Sequence, residues 1–188
     1  MSVQPVVIVH ADESCLGNGR DGDNPGGAGG LIEYTHPKSG KTTRVDYWIS
    51  EPATTNNRMA LRSAIEALRI LSGKGKRLRV RFTSDSQYLV KGMTEWVRGW
   101  KSRGWRRKEG DIENLALWQE LDSVSHSHDV EWQWVRGHNK HLQNEYADHL
   151  ATTAAREQSN SGGPVPSLYE EWLTAQRAKG RFPEIASH

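Results

Sequence analysis

A chain of 188 residues has room for one domain and a tail, and two full hydrophobic cores are excluded. Apolar residues make up 35%, yet 8 Trp, 5 Tyr and 2 Phe carry enough burial to exclude disorder throughout, and the single cysteine, Cys15, excludes an internal disulfide and a cysteine-based zinc site. The net charge of +2 is too small to imply an anionic partner by itself, but residues 91–108 hold seven basic side chains (Lys91, Arg98, Lys101, Arg103, Arg106, Arg107 and Lys108) against Glu95. No apolar stretch reaches the roughly 18 residues of a membrane span, and residues 1–5 have no basic segment with a long apolar run behind it. The expectation is a cytoplasmic protein without membrane contact and, by default, a monomer.

In chain order, residues 6–11 are an apolar, β-branched run that reads as a buried strand ending at Asp12. Seven glycines from Gly17 to Gly30, with Asn24-Pro25 among them, predict a loop leading into a second strand at 28–34. A turn at 37–40 precedes a third strand at 43–49, and the three strands predict an antiparallel meander. Leu61, Ala64, Ile65, Leu68 and Leu71 recur at helical spacing behind the capping residues Thr54, Thr55 and Asn56. A fourth strand at 78–82 leads through Ser84-Asp85-Ser86, which suits a helix cap, into a helix from about Gln87. On that helix Met93, Trp96 and Trp100 lie at i, i+3 and i+7 and read as packing groups. Leu115, Trp118, Leu121 and Val124 mark another helix, 130–135 a fifth strand and 143–156 a further helix. Residues 159–164 have a linker composition, and 167–177 suit a short amphipathic helix capped by Ser167. The reading is an α/β domain over 1–157, its five-stranded mixed sheet flanked by helices, followed by a linker and tail over 158–188 without a readable role.

Asp12 and Asp85 end strands, Asp148 falls in the 143–156 helix and His138 in the loop before it, the places where α/β sheets present functional groups. Any one of these aspartates alone is ordinarily a cap or turn former, whereas three together suit hard divalent cations.

The segments Asp12-x-Ser14-Cys15-Leu16-Gly17-Asn18, Thr54-Thr55-Asn56-Asn57-Arg58-Met59, Ser84-Asp85-Ser86-Gln87-Tyr88, Trp96-x3-Trp100-Lys101-x-Arg103-Gly104-Trp105, Leu117-Trp118-Gln119, Trp134-Val135-Arg136-Gly137-His138 and Asn144-Glu145-x-Ala147-Asp148 occur in this order. With them the chain resembles the ribonuclease H family, type 1, and bacterial ribonuclease HI in particular, over roughly residues 6–155. The resemblance implies a three-layer fold and cleavage of the RNA strand of RNA/DNA hybrids, using two Mg²⁺ or Mn²⁺ ions held by an Asp-Glu-Asp-Asp set. It implies that Asp12 bridges the ions, that Asp85 holds one and Asp148 the other, and that His138 assists proton transfer or product departure. Such chemistry needs paired cations, because the phosphodiester is anionic and neutral water is a poor nucleophile.

One position departs from the pattern: Ala60 stands where the family has its metal-binding Glu. Glu66 does not replace it, since six helical residues on it lies about 9 Å along the axis and is turned by about 240°. Beside Asp12, where the family usually has Gly, this chain has Glu13. Three readings stay open: Glu13 supplies the missing carboxylate, the site is disabled and binds hybrid without cutting it, or three aspartates with waters still cleave slowly. Because neighbours in a regular strand point to opposite faces, Glu13 reaches the site only if the strand has ended or bulged there.

For the substrate, the basic segment suits phosphate contacts, with Lys101, Arg103 and Arg106 on an arm and Trp105 placed against the DNA strand. Asn18, Asn56, Asn57 and Gln87 match family positions that read the RNA 2'-hydroxyl. Asn56 and Asn57 alternatively cap the helix, and Arg58 reaches a phosphate or pairs with a neighbouring acid. The Asn-Asn-Arg and Asp-Ser-Gln-Tyr segments argue against a related nuclease acting on DNA junctions.

Overall fold

The computed structural model describes residues 5–17, 24–137 and 141–183. The predicted meander forms from β1 (Val6–Cys15), β2 (Asn24–Thr35) and β3 (Thr42–Thr54). It is extended on one side by the parallel strands β4 (Arg79–Ser84) and β5 (Asp129–Trp134). The sheet has six strands rather than five, in the order β5-β4-β1-β2-β3-β6, because the two residues of β6 (Val165–Pro166) pair antiparallel with β3. Helix α1 (Asn56–Ser72) covers one face of the sheet, with Thr55 capping it by accepting from the Arg58 N–H at 3.2 Å. Its buried stripe, including Leu61, Ala64, Ile65, Leu68 and Leu71, packs with Val7, Val9, Val80 and Phe82 into the main core.

The helix after β4 is interrupted. Between α2 (Gln87–Lys91) and α3 (Val97–Ser102) lies a π-helical turn, Gly92–Trp96, in which the Val97 N–H reaches the Gly92 carbonyl. Helix α4 (Leu115–Ser125) follows and packs on α1. A Cβ on Gly92 would lie 1.9 Å from the Trp118 ring, so only glycine lets the π turn rest on α4 there.

Helix α5 (Leu142–Glu157) lies on the other face of the sheet, against β2 and β1, which completes three layers. β2 begins earlier than the expected 28–34, at Asn24, so Gly26 and Gly27, expected in the loop, join Gly29 and Gly30 in the strand. Their function is close approach. A Cβ on Gly27 would stand 2.4 Å from the Ala155 nitrogen and 2.5 Å from the Ala151 carbonyl oxygen, and one on Gly29 would stand 2.6 Å from Leu150 Cβ.

The tail lies along the edge strand. Ser161 N–H donates to the Trp48 carbonyl at 2.9 Å, and the Ser50 N–H donates to Asn160 Oδ1 at 2.9 Å. The short polar side chains that read as a linker thus satisfy backbone groups that an edge strand otherwise leaves open. Helix α6 (Tyr169–Ala178) then buries Tyr169 and Leu173 beside Leu31 and Tyr146. The N-cap of α6 is Leu168 rather than the expected Ser167, whose Oγ instead accepts from the Tyr169 N–H at 3.1 Å in the turn before the helix. Asp46, buried at the junction, accepts from Tyr146 Oη at 2.5 Å and from the Leu168 N–H at 3.1 Å.

Replacement of Gly27 by alanine forces β2 and α5 apart, and overpacking of this kind costs about 1–3 kcal/mol. The expected result is a lower urea midpoint with an unchanged m-value; an unchanged midpoint would show that α5 does not rest on the glycine strand as described.

Candidate active site

The two ladders of β1 are unequal. Its parallel pairing with β4 runs from Val6↔Arg79 to His10↔Thr83, whereas its antiparallel pairing with β2 continues to Cys15↔Gly26. Asp12 and Glu13 therefore stand on a stretch of β1 whose far edge β4 has already left, and Asp85 follows the last residue of β4. Asp12, Glu13 and Asp85 each place a carboxylate oxygen so that all three lie within 4.8 Å of one another. The β1–β2 register stays in step through Asp12↔Gly29 and Glu13↔Ala28, so the anticipated bulge is not what brings Glu13 in. The strand continues, and the open edge lets two side chains that leave opposite faces converge beyond it.

Burial and mutual repulsion shape this group. Asp12 is 7% exposed, and its carboxyl is pushed up to about 8, first by burial and then by the charge of Asp85, with the Glu13 N–H at 2.8 Å from Oδ1 working the other way. Burial, followed by the charges of Asp12 and Asp85, raises Glu13 well above the ordinary carboxylate range. Asp148, on α5, lies outside the group of three but near enough for its charge to raise Asp12 further. Ala60 is buried in the main core on α1. Glu66, as expected, is away from the acids, in a surface groove with Arg62, Arg69 and Glu120.

The end of β5 holds the segment that carries Asp85. Val135 N–H donates to the Ser84 carbonyl at 2.9 Å, and the Trp134 indole donates to the Asp85 carbonyl at 3.0 Å. Gly137 passes so close that a Cβ there would lie 2.6 Å from Asp85 Oδ2. Trp134 and Gly137 belong to the segment Trp134-Val135-Arg136-Gly137-His138, but sequence reasoning assigns them no role at the site. His138 and Asn18 lie outside the described residues.

The ribonuclease H family profile matches residues 4–156. The chain belongs to the ribonuclease H family. It is 45% identical over 153 residues to the ribonuclease H of Pelobacter propionicus, covering 80% of this chain and 85% of that protein. It is 41% identical over 154 residues to the ribonuclease HI of Caulobacter vibrioides, covering 81% and 95%. The crystal structure of LC9-RNase H1, a type 1 RNase H with the type 2 active-site motif, superposes with a TM-score of 0.88 at 58% identity, covering 100% of this chain and 92% of that one.

In this ribonuclease H the residues expected at the substrate are distributed as follows. Asn56 and Asn57 open α1, but Thr55 is the cap, and Asn56 Oδ1 is buried without a hydrogen-bond partner among the described residues. Arg58 pairs with Glu51 at 2.8 Å, the second of its two expected roles. Gln87 is exposed at the start of α2. On the arm, Lys101 pairs with Asp122 at 3.0 Å, Arg103 donates to the Arg106 carbonyl at 3.3 Å, and Arg106 is exposed. Trp105 is partly buried against the core edge, with its N–H on the Trp100 carbonyl at 2.6 Å, so its ring is first a packing group. Trp96 and Trp100 pack with Tyr88 and Trp118, as their spacing predicts. No helix among the described residues is long and apolar enough to cross a membrane.

An acid whose pKa is higher in the folded than in the unfolded chain holds its proton more tightly when folded. In chelator, the contribution of Asp12 to stability is therefore full below about pH 4 and is lost as pH rises toward 8. Calorimetry between pH 5 and 8 is expected to show this fall, and Asp12→Asn is expected to flatten it, raising Tm at pH 8 by about 2–4 °C for each kcal/mol of repulsion removed. A fall of the same size in Asp12→Asn would assign it to other groups.

Proposed function

We propose that this chain hydrolyses the RNA strand of RNA/DNA hybrids endonucleolytically, leaving a 3'-hydroxyl and a 5'-phosphate, with Glu13 in the role that the family gives to the residue at position 60. The observation that carries this reading is the convergence of Glu13 with Asp12 and Asp85 within 4.8 Å. Alternation along β1 gives Glu13 the side of the sheet occupied by Val7, Val9 and Ala11, which pack in the same core cluster as Ala60. A short residue at position 60 is compatible with a carboxylate entering from the strand.

The donor set fits hard divalent cations. Burial, and then the mutual repulsion of three crowded carboxylates, raise Asp12 and Glu13, and a divalent countercharge would offset that cost. Asp12, Glu13, Asp85 and Asp148 would hold two Mg²⁺ or Mn²⁺ ions, which when bound supply an activated water and stabilisation of the leaving oxygen. The chain's own part is to hold the acids in place on β1, at the end of β4 and on α5. Asn56, at the start of α1, would contact the RNA 2'-hydroxyl in the role the resemblance implies. Arg103, Arg106 and the neighbouring basic residues suit the phosphates. His138, in the role implied by the resemblance, would serve proton transfer or product departure.

Cleavage of a labelled hybrid in Mg²⁺ and in Mn²⁺ tests the reading. The parent is expected to cut and Asp12→Asn to be inert, while Glu13→Gln loses most of the activity. Full activity in Glu13→Gln would favour three aspartates with waters, and an inert parent that gains cleavage in Ala60→Glu would identify a disabled hybrid binder. For the arm, Arg106→Ala is expected to weaken binding of uncut hybrid in EDTA and to reduce the slope of log K against log salt by about 0.7–0.9. An unchanged slope would remove Arg106 from the phosphate contacts.

A further inference from the structure

We propose that Trp134 is a positioning residue for the acid site: its indole N–H, donated to the main-chain carbonyl of Asp85, fixes the backbone from which that carboxylate projects. The inference deepens the proposed function and rests on its reading of Asp85 as a metal-holding residue.

The β4–β5 ladder ends at Ser84↔Trp134, and the Val135 N–H bonds the Ser84 carbonyl. Asp85 is thus the first residue beyond the sheet, and α2 begins only at Gln87, capped by Ser86, whose Oγ accepts from the Leu89 N–H at 3.1 Å. Beyond the last β4–β5 pair, the Trp134 indole donates to the Asp85 carbonyl at 3.0 Å. On the far side of Asp85 the Ser86 N–H is held by Ser84 Oγ at 3.0 Å. Donors on both sides thereby define the orientation of a single residue between strand and helix.

Trp134 is 44% exposed, one of two large hydrophobic side chains left open among the described residues. Core packing does not account for a tryptophan there, whereas a donor with this reach does, since Phe or Tyr in the same place carries no ring N–H at that position. Gly137 adds a second constraint on the same group, because a Cβ there would lie 2.6 Å from Asp85 Oδ2 and would oblige the carboxylate to shift. One short segment thus sets both the backbone and the carboxylate of Asp85. Outer partners of this kind orient ligands rather than touch the ion.

The test is binding of Mn²⁺ to the substrate-free protein, followed by the electron paramagnetic resonance signal of free Mn²⁺, alongside hybrid-cleavage kinetics. Trp134→Phe keeps the ring and removes the donor, and is expected to weaken Mn²⁺ binding about tenfold and to lower kcat, with KM for the hybrid unchanged. Its Tm is expected to stay within a few degrees, since one hydrogen bond contributes about 1 kcal/mol. Gly137→Ala, which presses on the carboxylate while the indole bond remains, is expected to weaken Mn²⁺ binding as well. If Asp85→Asn abolishes Mn²⁺ binding and Trp134→Phe leaves it intact, the positioning role is overturned and the metal reading stands. If Asp85→Asn itself leaves Mn²⁺ binding intact, the metal reading fails first. A rise in KM alone in Trp134→Phe would make Trp134 a substrate contact and overturn the proposal.

Discussion

The acid site depends on an offset between two ladders. β1 is held by β2 to its end, at Cys15, but by β4 only as far as His10. A strand with neighbours on both edges directs alternate side chains to separate faces, each filled by a helix layer. Where one neighbour stops, the space beside the strand belongs to neither face, and carboxylates from both enter it. Asp85 arrives at the same place because the strand that stopped is the one that carries it. Proximity follows from chain geometry and not from attraction, which is why the grouped acids resist ionisation until a countercharge is present.

The second constraint is the contact of α5 with β2. Glycines opposite α5 bring helix and strand backbones together, and Asp148 approaches the acids from that helix. The same face carries the tail. Asp46 joins β3 to Tyr146 of α5 and to the start of α6, while Arg44 bonds both Glu33 and Glu170 at 2.7 Å. The described part of the tail closes the β3 edge and packs against α5, at the opposite sheet edge from the strands that lead to Asp85.

The basic arm shows how one helix serves two purposes. Its π turn sets Gly92 against Trp118, and Tyr88, Trp96 and Trp100 complete the aromatic cluster. Thr94 Oγ1 donates to the Val90 carbonyl at 2.7 Å, satisfying an acceptor where the helical pattern is disturbed. With the aromatic side spent on packing, Arg98 and Arg106 remain in solvent, available to a polyanion.

Periodicity and punctuation were enough to reveal the strands, the long helices and the apolar face of the arm, because each depends on local spacing of apolar residues. Asp85 was readable for a related reason, since it follows the end of a strand, whereas Asp12 lies inside β1 and not at its end, and Asp148 lies within α5. The glycines of β2 misled, since a glycine that frees a loop and one that admits a helix backbone look alike until the helix is in place. Glu13 could be noticed but not aimed, because whether adjacent residues share a site depends on where a different strand, β4, stops at Ser84. Residues 159–164 read as a linker for want of any view of the edge strand they bond. Local chemistry set which residues are suited to hold cations and phosphates; tertiary structure alone decided which of them meet, because convergence is a property of ladder lengths and backbone approach that no single segment encodes.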